Sequence, residues 1–235
     1  MKYSMTSLLL LILFSLTSCN NDDDNGNQEP ELGFFPTKII LEDGGTTLDI
    51  EFTYDNKNQI ALITSDLFSL SFAYYANGLI AETRLNGTST VISTTYDGEI
   101  VTSLTETDEI SSDIIPVSYT NGTYSTNSAI IKLNPQNQVL ELYGSPITYS
   151  NNSGPFTHLK FQPALFITAD IVPIYSYFFA THEITEFEFP FNGITYTVDN
   201  TRDANNNIVF AQWIDPMGNE DASYTIEYEE RPLIN

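Results

Sequence analysis

Leu48-Asp49-Ile50-Glu51-Phe52-Thr53-Tyr54-Asp55 is the stretch that decides the fold. Leu48, Ile50, Phe52 and Tyr54 alternate with Thr47, Asp49, Glu51 and Thr53. A period of two puts branched and aromatic side chains on one face of a strand, and acids and threonines on the other. The same alternation returns at Ile194, Tyr196 and Val198, and again at Tyr224, Ile226 and Tyr228. Between such runs stand Asp43-Gly44, Asn77-Gly78, Asn86-Gly87, Asp97-Gly98, Asn121-Gly122 and Asn192-Gly193. These pairs reach positive φ at little cost and suit tight hairpins. The chain therefore predicts an all-β fold, an antiparallel meander of hairpins forming a curved or two-layered sheet.

A repeat is superimposed on the meander. Phe52-Thr53-Tyr54-Asp55 leads to Ile60, Ala73-Tyr74-Tyr75 leads through Asn77-Gly78 to Ile80, and Thr95-Tyr96-Asp97-Gly98 leads to Ile100. Tyr54, Tyr75 and Tyr96 are spaced by 21 residues, and Tyr119 follows 23 later before Asn121-Gly122. Ile131 to Val139, with Asn134-Pro135-Gln136-Asn137 at its centre, reads as a degenerate copy. Each unit is a strand ending in Tyr, a polar turn and a returning strand, burying its face on its neighbours. These hairpins resemble the YD repeats of RHS-like shell proteins, and more closely the YD-like surface lipoproteins of the Bacteroidota. The stretch Tyr149 to Phe156 is similar to the loop that precedes an irregular or helical insert in those lipoproteins. Only Tyr54-Asp55 and Tyr96-Asp97 keep the dipeptide, and the resemblance carries no catalytic residues with it.

After Phe156 the period breaks. Leu159, Phe161, Leu165, Phe166, Ile167 and Ile171 follow neither template. Pro163 suits a helix start and Pro173 a stop, so residues 159–180 are expected as a loop with one or two helical turns packed on the sheet. Asp170 and the two prolines argue against a membrane span there. Strands are expected again at His182–Phe189, Ile194–Asp199, Ile208–Ile214 and Ala222–Tyr228.

The N-terminus has a different character. Met1-Lys2 precedes an apolar run, Leu8 to Leu16, too short to span a bilayer. Leu16-Thr17-Ser18-Cys19 resembles a bacterial lipoprotein processing site, which implies cleavage after residue 18 and acylation of Cys19, the only cysteine. Several acyl chains hold a protein stably where one does not. Asp22, Asp23 and Asp24 follow in a run that resembles the export signal of Bacteroidota surface lipoproteins, which implies the outer face of the outer membrane. The expected organisation is a signal peptide at 1–18, an acidic flexible tether at 19–33 and a β-repeat domain at 34–235.

Loss of residues 1–18 removes Lys2 and no acid, leaving 7 basic and 31 acidic residues and a formal charge of −24. That field disfavours nucleic acid and anionic lipid surfaces as partners. With Cys19 acylated, no thiol remains for a disulfide, a thiolate zinc site or a nucleophile.

Candidate chemistry is sparse. His182-Glu183-Ile184-Thr185-Glu186 lacks the second histidine of a zinc-protease motif, and His158 has no evident partner. Asp203-Ala204-Asn205-Asn206-Asn207 begins like a calcium loop, but Ile208 and Ile214 stand where Gly and Glu belong, so a hairpin turn is the better reading. No metal, cofactor or catalytic residue is assigned. Trp213, Tyr74 and Tyr75 are the rings to examine for a sugar platform, although strand tyrosines more often fill a core. The expectation is a lipid-anchored surface protein with a non-enzymatic binding or envelope-structural role. The alternatives are a glycan-binding accessory of a polysaccharide uptake system and an extracellular polymer hydrolase.

Overall fold

The computed structural model describes residues 30–168 and 177–234. The leader, Cys19, Asp22, Asp23, Asp24, Asp170 and Pro173 lie outside the described residues. The strands in chain order are β1 (Leu32–Asp43), β2 (Thr46–Tyr54), β3 (Ile60–Ser65), β4 (Ser69–Tyr74), β5 (Ile80–Leu85) and β6 (Val91–Asp97). They continue with β7 (Ile100–Thr107), β8 (Ser112–Pro116), β9 (Ser118–Thr120), β10 (Thr123–Ser125), β11 (Ile130–Leu133), β12 (Val139–Leu142) and β13 (Ser145–Ser153). A short helix, α1 (Pro163–Thr168), precedes β14 (His182–Phe189), β15 (Ile194–Arg202), β16 (Ile208–Ile214) and β17 (Glu220–Pro232). β1 takes in Leu32 and Gly33, two residues that the sequence assigns to the tether.

Every strand pairs antiparallel with its sequence neighbour except β8 with β9, and β1 also pairs with β17 from Leu32↔Pro232 to Asp43↔Ala222. The meander thus bends round on itself. β8 and β9 are successive parts of one run: β8 lies on β7, β9 lies on β10, and Val117 between them donates to the Thr102 carbonyl at 3.1 Å. The result is a nearly closed barrel, which corrects the expected curved or two-layered sheet. The cause is β1, long enough to hold β2 on one edge and β17 on the other.

The alternation in the sequence orients the wall. On β2, Ile50 and Phe52 are buried while Glu51 and Thr53 are exposed. On β15, Tyr196 and Val198 are buried between exposed Thr195, Thr197 and Asp199. On β17, Tyr224 and Ile226 are buried while Thr225, Glu227 and Glu229 are exposed. A barrel that crosses a bilayer turns its apolar side outward, and charges on its lipid face are costly. Here the acids stand on the outside and the apolar residues within.

The interior is filled by the chain itself. All six residues of α1 are buried, as are Phe156, Phe161, Tyr177, Phe178, Phe179 and Ala180. Phe179 lies against Phe52 of β2, Phe178 against Tyr224 of β17, and Tyr177 against Phe187 of β14 and Trp213 of β16. Strands from around the ring therefore meet the described part of one insert, which sits inside the barrel. The expected packing on the sheet is corrected to packing within it. The aperiodic run explains this, since a segment apolar on all sides is buried on all sides. Pro163 begins the helix as expected.

The described part of the insert is pinned by polar contacts. Gln162 accepts from the Ile80 amide at 2.9 Å and donates to the Gly78 carbonyl. Asn137 donates to the Phe161 carbonyl at 3.0 Å, and Thr168 shares a hydroxyl contact of 3.0 Å with Thr83. Its entry and exit are closed by Gly154 donating to Thr181 and Phe156 donating to Ala180. A Cβ on Gly154 would meet the His182 and Ala180 carbonyl oxygens at 2.5 and 2.6 Å. Gly154→Ala is therefore expected to cost about 1–3 kcal/mol or more, read as a lower melting temperature. An unchanged melting temperature would contradict this close approach.

The repeat has a structural basis. Five hairpins share one turn, Asp55–Gln59, Tyr75–Leu79, Asn134–Gln138, Asp203–Asn207 and Asp215–Asn219. In each, the first amide donates to the fifth carbonyl and the fourth amide to the first carbonyl. The fourth residue, Asn58, Gly78, Asn137, Asn206 or Gly218, has φ between 58° and 85°. Side chains of Asp55, Asn134, Asp203 and Asp215 each accept from the third and fifth amides. A bulge adjoins every one of these turns.

Tyrosines then stitch each strand to the one before. Tyr54 donates to Pro36, Tyr74 to Ile60, Tyr96 to Ile80, Tyr149 to Val139 and Tyr228 to Ile208, all carbonyls at 2.6–2.9 Å. The residue equivalent to Tyr54 and Tyr96 is therefore Tyr74. The 21-residue spacing picks Tyr75, but Tyr75 occupies the turn position where Asp55 and Asn134 stand.

Candidate functional site

The tyrosine stitches and five-residue turns, with one exception at Asp215–Asn219, lie at one end of the barrel. This is also the end where β1 begins, β17 finishes and the insert enters. A cavity of about 400 Å³ opens there. Its floor is apolar, made by Phe35 of β1, Ile60 of β3 and Leu165 of α1, all buried. Its rim carries Lys57 from the turn after β2, Asn77 from the turn after β4, and His158 and Lys160 from the insert. Among the described residues no Asp or Glu lines it, in a chain with 31 of them.

Each rim group has a defined setting. The Lys57 turn is clamped by Arg231 of β17, which donates to the Asn58 side chain at 2.9 Å and the Asp55 carbonyl at 2.8 Å. Among the described residues Lys57 forms no ion pair, and Lys160 meets only Glu99 at 3.8 Å with both side chains largely exposed. Such a pair is worth little. His158 lies 5.7 Å from the Phe35 ring. Partial burial pushes its imidazole below the ordinary value against the opposing pull of Glu31. Beneath the rim, the Gln59 Oε1 is buried without a partner, although its amide donates to Gly78 at 2.9 Å.

The other candidates resolve differently. Trp213 is buried at 3% exposure, and Tyr74 belongs to the stitches. Tyr75 is exposed and donates to the Thr94 carbonyl at 3.2 Å. None of these three makes a platform with another. The exposed rings that do meet are Tyr143 and Phe191, 6.1 Å apart at the opposite end. Sequence reading passed over both, although an aromatic at a hairpin tip beside Gly144 or Asn192-Gly193 is forced outward.

His182 begins β14, its Nδ1 2.9 Å from the Gln138 Oε1. Glu183 accepts from Ser150 and Asn152, each at 2.7 Å, and pairs with Arg202 at 3.2 Å. Burial opposes its charge, but these donors outweigh burial and hold its carboxyl below the usual range. Asp203 is taken up by its own turn, as the hairpin reading expects. Among the described residues no group of His, Cys, Asp and Glu is arranged to hold a metal, and no helix is long and apolar enough to cross a membrane.

Fold and site together define an antiparallel β-barrel with a polar wall, an interior filled by its own chain and a small mouth at one end. No family model matches the chain, and no curated protein matches it. Among solved structures it is similar to a porin-like protein from Bacteroides uniformis ATCC 8492, at 15% identity and a TM-score of 0.47, covering 83% of this chain and 98% of that one. It is also similar to a porin-like protein from Bacteroides vulgatus ATCC 8482, at 12% identity and a TM-score of 0.44, covering 84% of this chain and 99% of that one.

Proposed function

We propose that the protein is a lipid-anchored cell-surface protein that acts by binding, without catalysis of its own. The observation that carries this reading is the filled interior behind a polar wall, which leaves recognition to the ends of the barrel. The mouth supports it further. An apolar floor beneath a few convergent polar groups is the usual make-up of a ligand site, and roughly 300–1,000 Å³ is its usual size. A hydrolase of glycosides needs two facing carboxylates, and the described lining of this mouth offers none, so as a site the mouth favours glycan binding over hydrolysis.

Cys19→Ala is expected to move the protein from the membrane to the soluble fraction, and retention in membranes would sink the anchor. Replacing Asp22, Asp23 and Asp24 with alanine is expected to protect the chain from protease added to intact cells. Unchanged cleavage would remove the export reading.

A further inference from the structure

We propose that the end of the barrel opposite the mouth docks a partner protein through the exposed rings of Tyr143 and Phe191, and that the partner meets them with a basic, arginine-bearing surface. The inference rests on the binding reading above and adds where a protein partner sits and what its surface carries.

Backbone conformation is the first argument. Tyr143 and Gly144 form the turn between β12 and β13, with φ of 51° and 88°. Every other non-glycine residue with positive φ among the described residues is an asparagine, Asn58, Asn121, Asn137 or Asn206. A bulky side chain takes that conformation only under strain, and strain persists where the surrounding structure holds it. Here the holding contacts are explicit. The Tyr143 amide donates to the Ile130 carbonyl at 2.7 Å, and its hydroxyl donates to the Ser128 carbonyl at 2.8 Å. An asparagine would make the same turn at less cost, so the turn itself does not call for a ring there.

The surroundings supply the second argument. The Tyr143 ring meets Phe191 at 6.1 Å, and Phe191 is backed by Phe189 at 5.6 Å. Tyr143, Phe191 and Met217 stand on three successive hairpins of this end, and all three are exposed. Aromatic side chains and Met are enriched at the centre of protein interfaces, and a ring fixed in advance has little ordering left to lose on binding.

Charge names the partner. The hairpin connections at this end carry Asp43, Asp66, Asp108, Glu109, Asp215 and Glu220, and no Lys, Arg or His. The described Lys and Arg residues lie at the mouth end or in the wall, where Lys38, Arg84 and Lys132 each pair with an acid. Arginine is the side chain that both features favour, since its guanidinium stacks on aromatic faces and pairs with carboxylates. A second copy of this end would oppose acids to acids, and an anionic lipid surface would meet the same repulsion.

The test places p-benzoylphenylalanine at position 217, beside the rings, in the full chain made in its native cells, which are irradiated intact. Position 53 on the outer wall and position 77 at the mouth carry the same probe in separate strains. Mass spectrometry is expected to show a protein joined at 217 but not at 53, through a surface that contains arginine. Tyr143→Asn and Phe191→Ser are each expected to reduce that adduct at least about tenfold. Asparagine suits the positive φ of the turn and Phe191 is exposed, so circular dichroism should be the same for both variants and a lost adduct is a lost contact. No adduct at 217, an adduct there to lipid, to a second copy or to an acidic surface, equal adduct at 53, or full yield in either variant would each overturn the inference. An adduct at 77 alone would leave the binding reading standing while removing this one.

Discussion

Phe179→Ala is expected to lower the stability of the barrel by about 3–5 kcal/mol, a large share of the roughly 5–15 kcal/mol that holds a domain of this kind. Phe179 is buried, stacked on Phe156 at 4.9 Å and 17°, and set edge-on to Phe52 and Phe161. It joins the insert to the wall, so its loss leaves a cavity that neither side can close. Chemical denaturation should show the change as a lower midpoint with the same slope. Phe191→Ala, at a position 68% exposed, is the control and should change stability by no more than about 0.5 kcal/mol. Equal effects at the two positions would contradict an insert inside the barrel.

Alkali is expected to unfold the protein in step with ionisation of its tyrosines. Burial raises the phenols of Tyr54, Tyr74, Tyr96, Tyr149, Tyr224 and Tyr228 far above their ordinary 10.0, and burial with neighbouring Tyr119 pushes Tyr124 up to about 12. A phenol raised on folding stabilises the fold while it is neutral. That contribution is complete below pH 10 and is lost as pH rises toward the folded value. Five of these hydroxyls also donate to backbone carbonyls, which a phenolate cannot do. Above pH 10 tyrosinate absorbance should therefore grow together with loss of the β-sheet signal. Gradual ionisation of these residues with the sheet intact would contradict the stitching.

Much of the wall was legible because it depends on local rules. The expected bounds of β14 and β16 match to the residue, and Asn192-Gly193 and Asn86-Gly87 marked true positive-φ turns. Pro163 located the helix. Closure was not legible, since the pairing of Leu32 with Pro232 is a contact between the two ends of the domain that no window of sequence contains. Tyr74 was missed for a subtler reason. A bulge shifts the count by one, so equal spacing in sequence is not equal position in the hairpin. The turn at Asp215 went unnoticed because Pro216 and Met217 hide its likeness to Asp55 and Asp203, although Gly218 stands where its φ of 85° requires. The mouth was invisible in sequence. Lys57, Asn77 and Lys160 are unremarkable alone and line one cavity only because the insert returns beneath two hairpins.

The pairing of β1 with β17 has a consequence for how the molecule is made. The first strand to be made must wait for the last before its outer edge is satisfied, and until then the sheet is an open ribbon with unpaired amides at both margins. Pairing across the whole length of the chain is slow to find. The nascent protein thus passes through a period in which a neighbouring copy offers the same edge that β17 will later fill. Crowded synthesis would favour exchange of that strand between chains, so the yield of correctly closed barrel should fall as expression rises.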